Sequence, residues 1–75
     1  MKKRSLDVRG LEPPEPLERI LSELDALQSD EQLDVTHWRE PLLLYPILVE
    51  RAWQYKTEYD EKARTYLISI WKDSQ

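Results

Sequence analysis

The sequence predicts an α+β two-layer sandwich in the order β-α-β-α-β-β, with both helices on one face of the sheet. Three observations predict it. Three stretches alternate polar and apolar residues, as half-buried strands do, and a fourth is rich in β-branched and aromatic residues. Two other stretches carry apolar residues at helical spacing, and a cluster of prolines marks the change from the first strand to the first helix.

The first predicted strand covers 5–9 and is followed by Gly10, the only glycine of the chain. A glycine at that point indicates a turn that needs a positive φ or a close backbone approach. Residues 1–4 hold the one basic cluster, and we expect a disordered, solvated tail there rather than a nucleic-acid arm. Residues 5–72 then form a single domain, and 73–75 form a second tail.

Three prolines within 13–16 begin the first helix. Proline fixes φ near the helical value, and its missing N–H matters little where helical N–H groups have no internal partner. The apolar stripe of this helix is Leu17, Ile20, Leu21, Leu24 and Leu27. The prolines are either a plain rigid helix start or a stiff platform that presents backbone groups to a partner.

The second strand covers 32–37, and the strand–helix–strand unit predicts a right-handed crossover between parallel strands. Because proline inside a helix removes a hydrogen bond, the second helix should begin near Tyr45 or Pro46, after an irregular turn. It should end near Ala52 or Trp53.

The last two strands, 54–59 and 64–71, predict an antiparallel hairpin. The final strand is rich in β-branched and aromatic residues, which are favoured in sheets.

Two motifs carry a family resemblance. Residues 6–11 read L-D-V-R-G-L and 14–16 read P-E-P, which resembles the opening of TusA/SirA-like sulfur carriers: a strand, an L-D-x-R-G-L turn and a C-P-x-P motif. Pro13 stands where that family has its cysteine. The chain is more similar to an uncharacterised sister family with P-P-x-P, whose second motif, H-x-R-E-P-x-x-L-Y-P, matches 37–46.

The resemblance implies a four-stranded mixed sheet in the order 1-2-4-3, with strand four central and antiparallel to the others. It also implies a sulfur relay that needs a thiolate at position 13. The chain has no cysteine, so we expect that relay to be absent, and with it any catalytic residue or cofactor.

Composition excludes several classes of protein. Without cysteine there are no disulfides and no thiolate metal ligands. A formal net charge of -4 disfavours nucleic-acid binding, which depends on clustered lysine and arginine. No apolar run is long enough to span a membrane, so we expect a cytoplasmic protein, most simply a monomer. With 75 residues the site would be a shallow groove between loops.

The candidate site lies where the first two strands end. The ends of parallel strands meet at one edge of a sheet, where ligands of α/β proteins usually bind. The candidate residues are Arg9, Gly10, Glu12, Pro13, His37, Trp38, Arg39, Glu40 and Tyr45. The two arginines would supply charge-assisted hydrogen bonds to a small anion, a carboxylate or an acidic peptide. Prolines at both helix starts remove some backbone donors and weaken this idea.

These side chains also have structural interpretations. His37, the only histidine, is either a hydrogen-bonded structural residue or a catalyst, and one histidine makes a zinc site improbable. Tyr45 either staples the second helix to the sheet or touches a ligand. Trp38 lies in a polar loop and is the better candidate for an exposed contact residue.

The charged loop residues leave a further alternative open. Arg39 and Glu40 either face a ligand or form ion pairs with Glu12 or Arg9 that lock the two loops together. Such exposed pairs contribute about 0–1 kcal/mol each.

Three functions compete. The first is a non-catalytic module that binds a partner protein or a small anionic ligand through the two loops. The second is a sulfur-transfer-related accessory protein. The third, by fold analogy alone, is an RNA- or ribosome-binding domain, which the acidic charge disfavours.

Overall fold

A computed structural model describes residues 2–72, and the predicted tail at 73–75 lies outside them. The elements are β1 (Lys2–Asp7), α1 (Glu15–Ala26), β2 (Glu31–His37), α2 (Leu44–Glu50), β3 (Gln54–Asp60) and β4 (Thr65–Trp71). The sheet order is β1-β2-β4-β3, with β1 parallel to β2 and β4 antiparallel to both of its neighbours. The predicted order of elements and the central position of β4 are confirmed.

The core lies between the two helices and one face of the sheet. Alternate residues of the central strands β2 and β4 point into it, because successive side chains of a strand face opposite ways. The buried apolar residues are Val8, Ile20, Leu24, Leu33, Val35, Leu44, Leu48, Ile68 and Ile70. In the described part of the chain no helix covers the opposite face of the sheet, and Leu67 on that face remains 41% exposed.

The start of β1 corrects one expectation. The strand begins at Lys2, so the disordered basic tail expected over 1–4 is wrong wherever the structure describes that segment. The Lys2 N–H donates to the Asp30 carbonyl at 3.0 Å, and the Arg4 guanidinium donates to Glu23 Oε1 on α1 at 3.1 Å. These partners are distant in sequence, and they order a segment whose own residues indicate a tail.

The helix α2 begins at Leu44, one residue before the predicted start, and ends at Glu50, earlier than predicted. Pro46 lies in its first turn, where the missing N–H removes no helical hydrogen bond. The chain leaves the helix through Ala52, which has a φ of 64°. The Trp53 N–H then donates to the Leu48 carbonyl at 2.8 Å. This Schellman-type ending stops α2 at Glu50, two residues before the predicted end at Ala52.

Candidate functional site

A groove lies between the loop that joins β1 to α1 and the loop that joins β2 to α2. The parallel register pairs Asp7 with Thr36, so both strands end together and both loops leave from the same end of the sheet. We call the space between them the loop groove. Its volume is about 690 Å³, and its walls are 10–13, 37–44 and two residues of α1, Pro16 and Leu17.

The loop groove brings together seven of the nine candidate residues. Gly10, Glu12 and Pro13 come from the first loop; His37, Trp38, Arg39 and Glu40 come from the second. The other two candidates, Arg9 and Tyr45, do not line it. Both are engaged elsewhere.

Arg9 is occupied by a neighbouring carboxylate. Its guanidinium donates to Asp7 Oδ1 at 2.9 Å and to Asp7 Oδ2 at 2.7 Å, and its backbone N–H donates to Oδ1 at 3.0 Å. These hydrogen bonds lower the pKa of Asp7 to about 2. Asp7 therefore already supplies the carboxylate that Arg9 was expected to take from a ligand.

Tyr45 joins α2 to the sheet. Its hydroxyl lies 2.8 Å from Thr57 Oγ1 on β3 and donates to Glu40 Oε2 at 3.1 Å. Its ring stacks on Tyr55, with centroids 4.8 Å apart and planes 5° from parallel. Burial, opposed by the Thr57 hydrogen bond and aided by Glu40, raises the pKa of Tyr45. The structure therefore shows Tyr45 as a staple that also holds Glu40 on the rim of the groove.

His37 fixes the start of the second loop. The Arg39 backbone N–H donates to His37 Nδ1 at 3.1 Å. A ring nitrogen that accepts a hydrogen bond carries no proton, so the neutral ring has its proton on Nε2. Burial and, secondarily, the charge of Arg39 lower the pKa of His37. The histidine is thus a neutral, hydrogen-bonded residue in the groove wall.

The second loop exposes large apolar side chains. Trp38 is 59% exposed, Leu42 65% and Leu43 78%, whereas Leu44 is fully buried. The sequence interpretation singled out Trp38 but treated Leu42 and Leu43 only as part of an irregular turn. The signal was the run of three leucines after Pro41, because three consecutive side chains at a helix start cannot all face the core.

The first loop is shaped by glycine and proline. Gly10 has a φ of 83°, as its position predicted, and no atom lies within 4 Å of where a Cβ would be, so the backbone conformation alone favours glycine. Pro13 and Pro14 are joined by a cis peptide bond and lead into α1. The Glu15 N–H donates to the Glu12 carbonyl at 2.9 Å. Few backbone donors are left to point into the loop groove.

The charged side chains of the two loops are not paired with each other. Across residues 2–72, no salt bridge joins Arg39 or Glu40 to Glu12 or Arg9, so the alternative in which ion pairs lock the loops is not present. Within the same residues, no group of three or more histidine and carboxylate side chains could hold a metal ion. Neither described helix combines the length and apolarity needed to cross a bilayer.

Comparison with known proteins gives one match. The profile of a family described as "Uncharacterized conserved protein (DUF2249)" matches residues 5–72. No curated protein and no solved structure matches the chain.

Proposed function

The chain belongs to the DUF2249 family, and we propose that it is a non-catalytic binding module that holds a partner protein in the loop groove. The observation that carries this proposal is the exposure of Trp38, Leu42 and Leu43 at one end of the sheet. Large exposed apolar patches are uncommon on monomeric proteins and mark interaction sites.

The apolar exposure is concentrated rather than scattered. Among residues 2–72, the large apolar side chains that remain exposed are Trp38, Leu42, Leu43, Val49, Tyr59 and Leu67. Half of them come from a single six-residue loop. Single exposed apolar residues are normal on protein surfaces. Three exposed apolar side chains in one loop beside a groove are instead typical of an interaction site. Tryptophan is also enriched among the residues that dominate binding energy.

The residues of the loop groove argue against catalysis. Its walls contain no serine, threonine or cysteine that could act as a nucleophile. The only histidine uses Nδ1 to accept the Arg39 N–H, which makes it an organiser of the loop. The arrangement supports binding without a chemical step.

One observation favours a second candidate, a sulfur-transfer-related accessory protein. Pro13 lines the loop groove at the position where the resemblance to TusA/SirA-like carriers places the reactive cysteine. A protein of this kind would keep the docking surface of a carrier without its thiol. A persulfide-transfer assay with a cysteine desulfurase tests this alternative, which requires the chain to change the rate of transfer between other proteins.

A small anion is less well supported as the ligand. Pro14 and Pro16 have no N–H, and the Glu15 N–H is already used, so the start of α1 offers little to an anion. Arg9 is bound to Asp7. RNA binding, expected only by fold analogy, finds no cluster of basic residues in the groove walls.

Affinity capture from the source organism's lysate tests the proposed function. The immobilised wild-type protein should retain a partner that the double variant W38A/L43A loses. The matched control is L67A, which removes an exposed leucine from the open sheet face and should retain the same partner. Equal capture by W38A/L43A, or loss of the partner with L67A alone, would contradict binding through the loop groove.

A further inference from the structure

The charge around the loop groove restricts the partner that fits it. Each loop contributes one carboxylate to the walls, Glu12 and Glu40, and the second loop adds one guanidinium, Arg39. Within residues 2–72, Glu12 has no salt-bridge partner, and the Glu40 carboxylate accepts a hydrogen bond only from the neutral Tyr45 hydroxyl. Both carboxylates are free to pair with an incoming cation.

The cations nearby do not balance these carboxylates. Arg9 lies outside the groove, where it pairs with Asp7. Glu15 adds a further negative charge at the start of α1. The whole chain carries a formal net charge of -4, which attracts a basic partner at long range. The walls of the loop groove are therefore mainly apolar, and Glu12 and Glu40, which we call the rim carboxylates, give them an excess of negative charge.

We propose that the occupant of the loop groove is a protein segment that carries one or two large apolar side chains flanked by lysine or arginine. This inference rests on the proposed function and specifies its partner. The apolar side chains enter the space between the loops, and the basic residues pair with Glu12 and Glu40. The volume of about 690 Å³ falls among small-ligand pockets, so it receives side chains rather than a whole secondary-structure element.

Trp38 strengthens this choice of partner. Its exposed ring lies in the same loop as Glu40. Lysine and arginine are attracted to the face of an indole, and arginine is the commoner partner. The protein already uses this contact at another point, where Lys72 Nζ lies 4.6 Å from the ring centroid of Trp53. An acidic segment could pair with Arg39 alone, and it would meet Glu12 and Glu40 with the same sign of charge.

Titration of isotope-labelled protein with designed peptides tests the inference. The probe is a short synthetic peptide of leucine and lysine, and its matched control has glutamate in place of every lysine. We expect the leucine–lysine peptide to move the amide signals of 10–17 and 37–44, and the leucine–glutamate peptide to leave them unchanged. Binding of the leucine–glutamate peptide with equal or higher affinity would overturn the basic partner and leave the proposed function standing.

Charge variants separate the rim from the general acidity of the protein. E12Q/E40Q removes the two rim carboxylates, and glutamine at position 40 can still accept the Tyr45 hydrogen bond. D30N/E50Q removes two exposed carboxylates from other parts of the surface, so both double variants have a net charge of -4 + 2 = -2. The affinity for the leucine–lysine peptide should fall roughly three- to tenfold in E12Q/E40Q and less than about twofold in D30N/E50Q.

The remaining outcomes identify other occupants and would each overturn the inference. Equal losses in both double variants would mean that only net charge matters. Phosphate that moves the same amide signals, or self-association that broadens them as protein concentration rises, would indicate an anion or a second copy of the chain. If neither peptide reaches the groove and W38A/L43A captures the same proteins as wild type, the proposed function fails as well.

Discussion

The two ends of the sheet differ in whether their tryptophan and arginine side chains have partners. At the end where β1 and β2 begin, Arg4 pairs with Glu23, and the ring of Trp53 is covered by Lys72. At the loop-groove end, the ring of Trp38 is uncovered and, within residues 2–72, Arg39 has no salt-bridge partner. A tryptophan and an arginine thus have partners at the first end, whereas among the described residues Trp38 and Arg39 do not at the loop-groove end, where only Arg9 is paired, with Asp7.

This difference separates residues that stabilise the fold from residues that are available for binding. At the end where β1 and β2 begin, which we call the closed end, several ion pairs join different elements. One of them joins Arg51, near the end of α2, to Asp25 on α1 at 3.8 Å. At the groove end, two of the contacts are local: Arg9 pairs with Asp7, and the Arg39 N–H donates to His37. Tyr45 is the exception, because its hydroxyl joins α2 to Thr57 on β3. Exposed groove-end side chains should therefore contribute little to folding, and four predictions examine that statement.

The largest effect is expected for two adjacent leucines. Leu44 is fully buried and Leu43 is 78% exposed, although both line the loop groove. Leu44→Ala should lower the free energy of unfolding by about 2–5 kcal/mol because it opens a cavity in the core. Leu43→Ala should change it by less than about 0.5 kcal/mol. Urea denaturation followed by circular dichroism measures both, and a large cost for Leu43→Ala would mean that the groove rim is part of the core.

The leucines also show how far the sequence alone could reach. Strand alternation predicted the end of β2 at His37, whereas β1 ends at Asp7, two residues before the predicted end. The parallel crossover still placed His37 and the residues after it at one edge with Gly10. The same alternation places Asp7 and Arg9 on one face of the predicted strand, two residues apart. Their ion pair could therefore have been predicted from the sequence. Exposure of Leu43 depends on the residue at which α2 begins, because that residue decides which leucine faces the core. Pro46 made the first helical residue ambiguous, since proline fits several positions of a first turn.

The ordering of the first residues could not be predicted from local sequence. Lys2 and Arg4 belong to a basic run, and a basic run alone indicates a solvated tail. Their partners, the Asp30 carbonyl and Glu23, are roughly twenty or more residues away along the chain. Only the assembled sheet brings these groups together.

A tryptophan pair compares the two ends directly. Trp53 packs against the core and lies under Lys72, whereas Trp38 is mostly exposed. Trp53→Ala should cost roughly 2 kcal/mol, about half the value for a fully buried tryptophan. Trp38→Ala should cost less than about 0.5 kcal/mol. The same denaturation experiment decides the matter, and similar costs for both variants would remove the distinction between the ends.

A smaller effect is expected at the staple between α2 and the sheet. Tyr45→Phe keeps the stacking on Tyr55 but loses the hydroxyl contacts to Thr57 and Glu40. The free energy of unfolding should fall by about 1 kcal/mol, the usual net contribution of such hydrogen bonds. The control is Tyr59→Phe at a half-exposed ring on the same strand as Tyr55, which should leave stability unchanged. Equal stability of both variants would mean that Tyr45 does not hold α2 in place.

The smallest effect is a dependence of stability on pH through His37. Burial and Arg39 lower the pKa of His37 from its ordinary value of 6.5, so the folded state favours the neutral ring that accepts the Arg39 N–H. Between the two pKa values the unfolded chain binds more protons, so stability rises with pH. The contribution of the neutral His37 ring to the free energy of unfolding is therefore complete above about pH 6.5. It is lost as the pH falls through the folded-state pKa of His37.

The only histidine of the chain makes that titration easy to assign. The imidazole proton signals should titrate with a midpoint below 6.5, and the amide signal of Arg39 should shift with the same midpoint because its hydrogen-bond acceptor is lost. His37→Gln should abolish the change in stability between about pH 7 and pH 5, where ordinary carboxylates remain ionised. A midpoint above 6.5 would mean that the histidine faces the rim carboxylates as a cation. The rim carboxylates would then be paired inside the protein, and the contrast with the closed end would disappear.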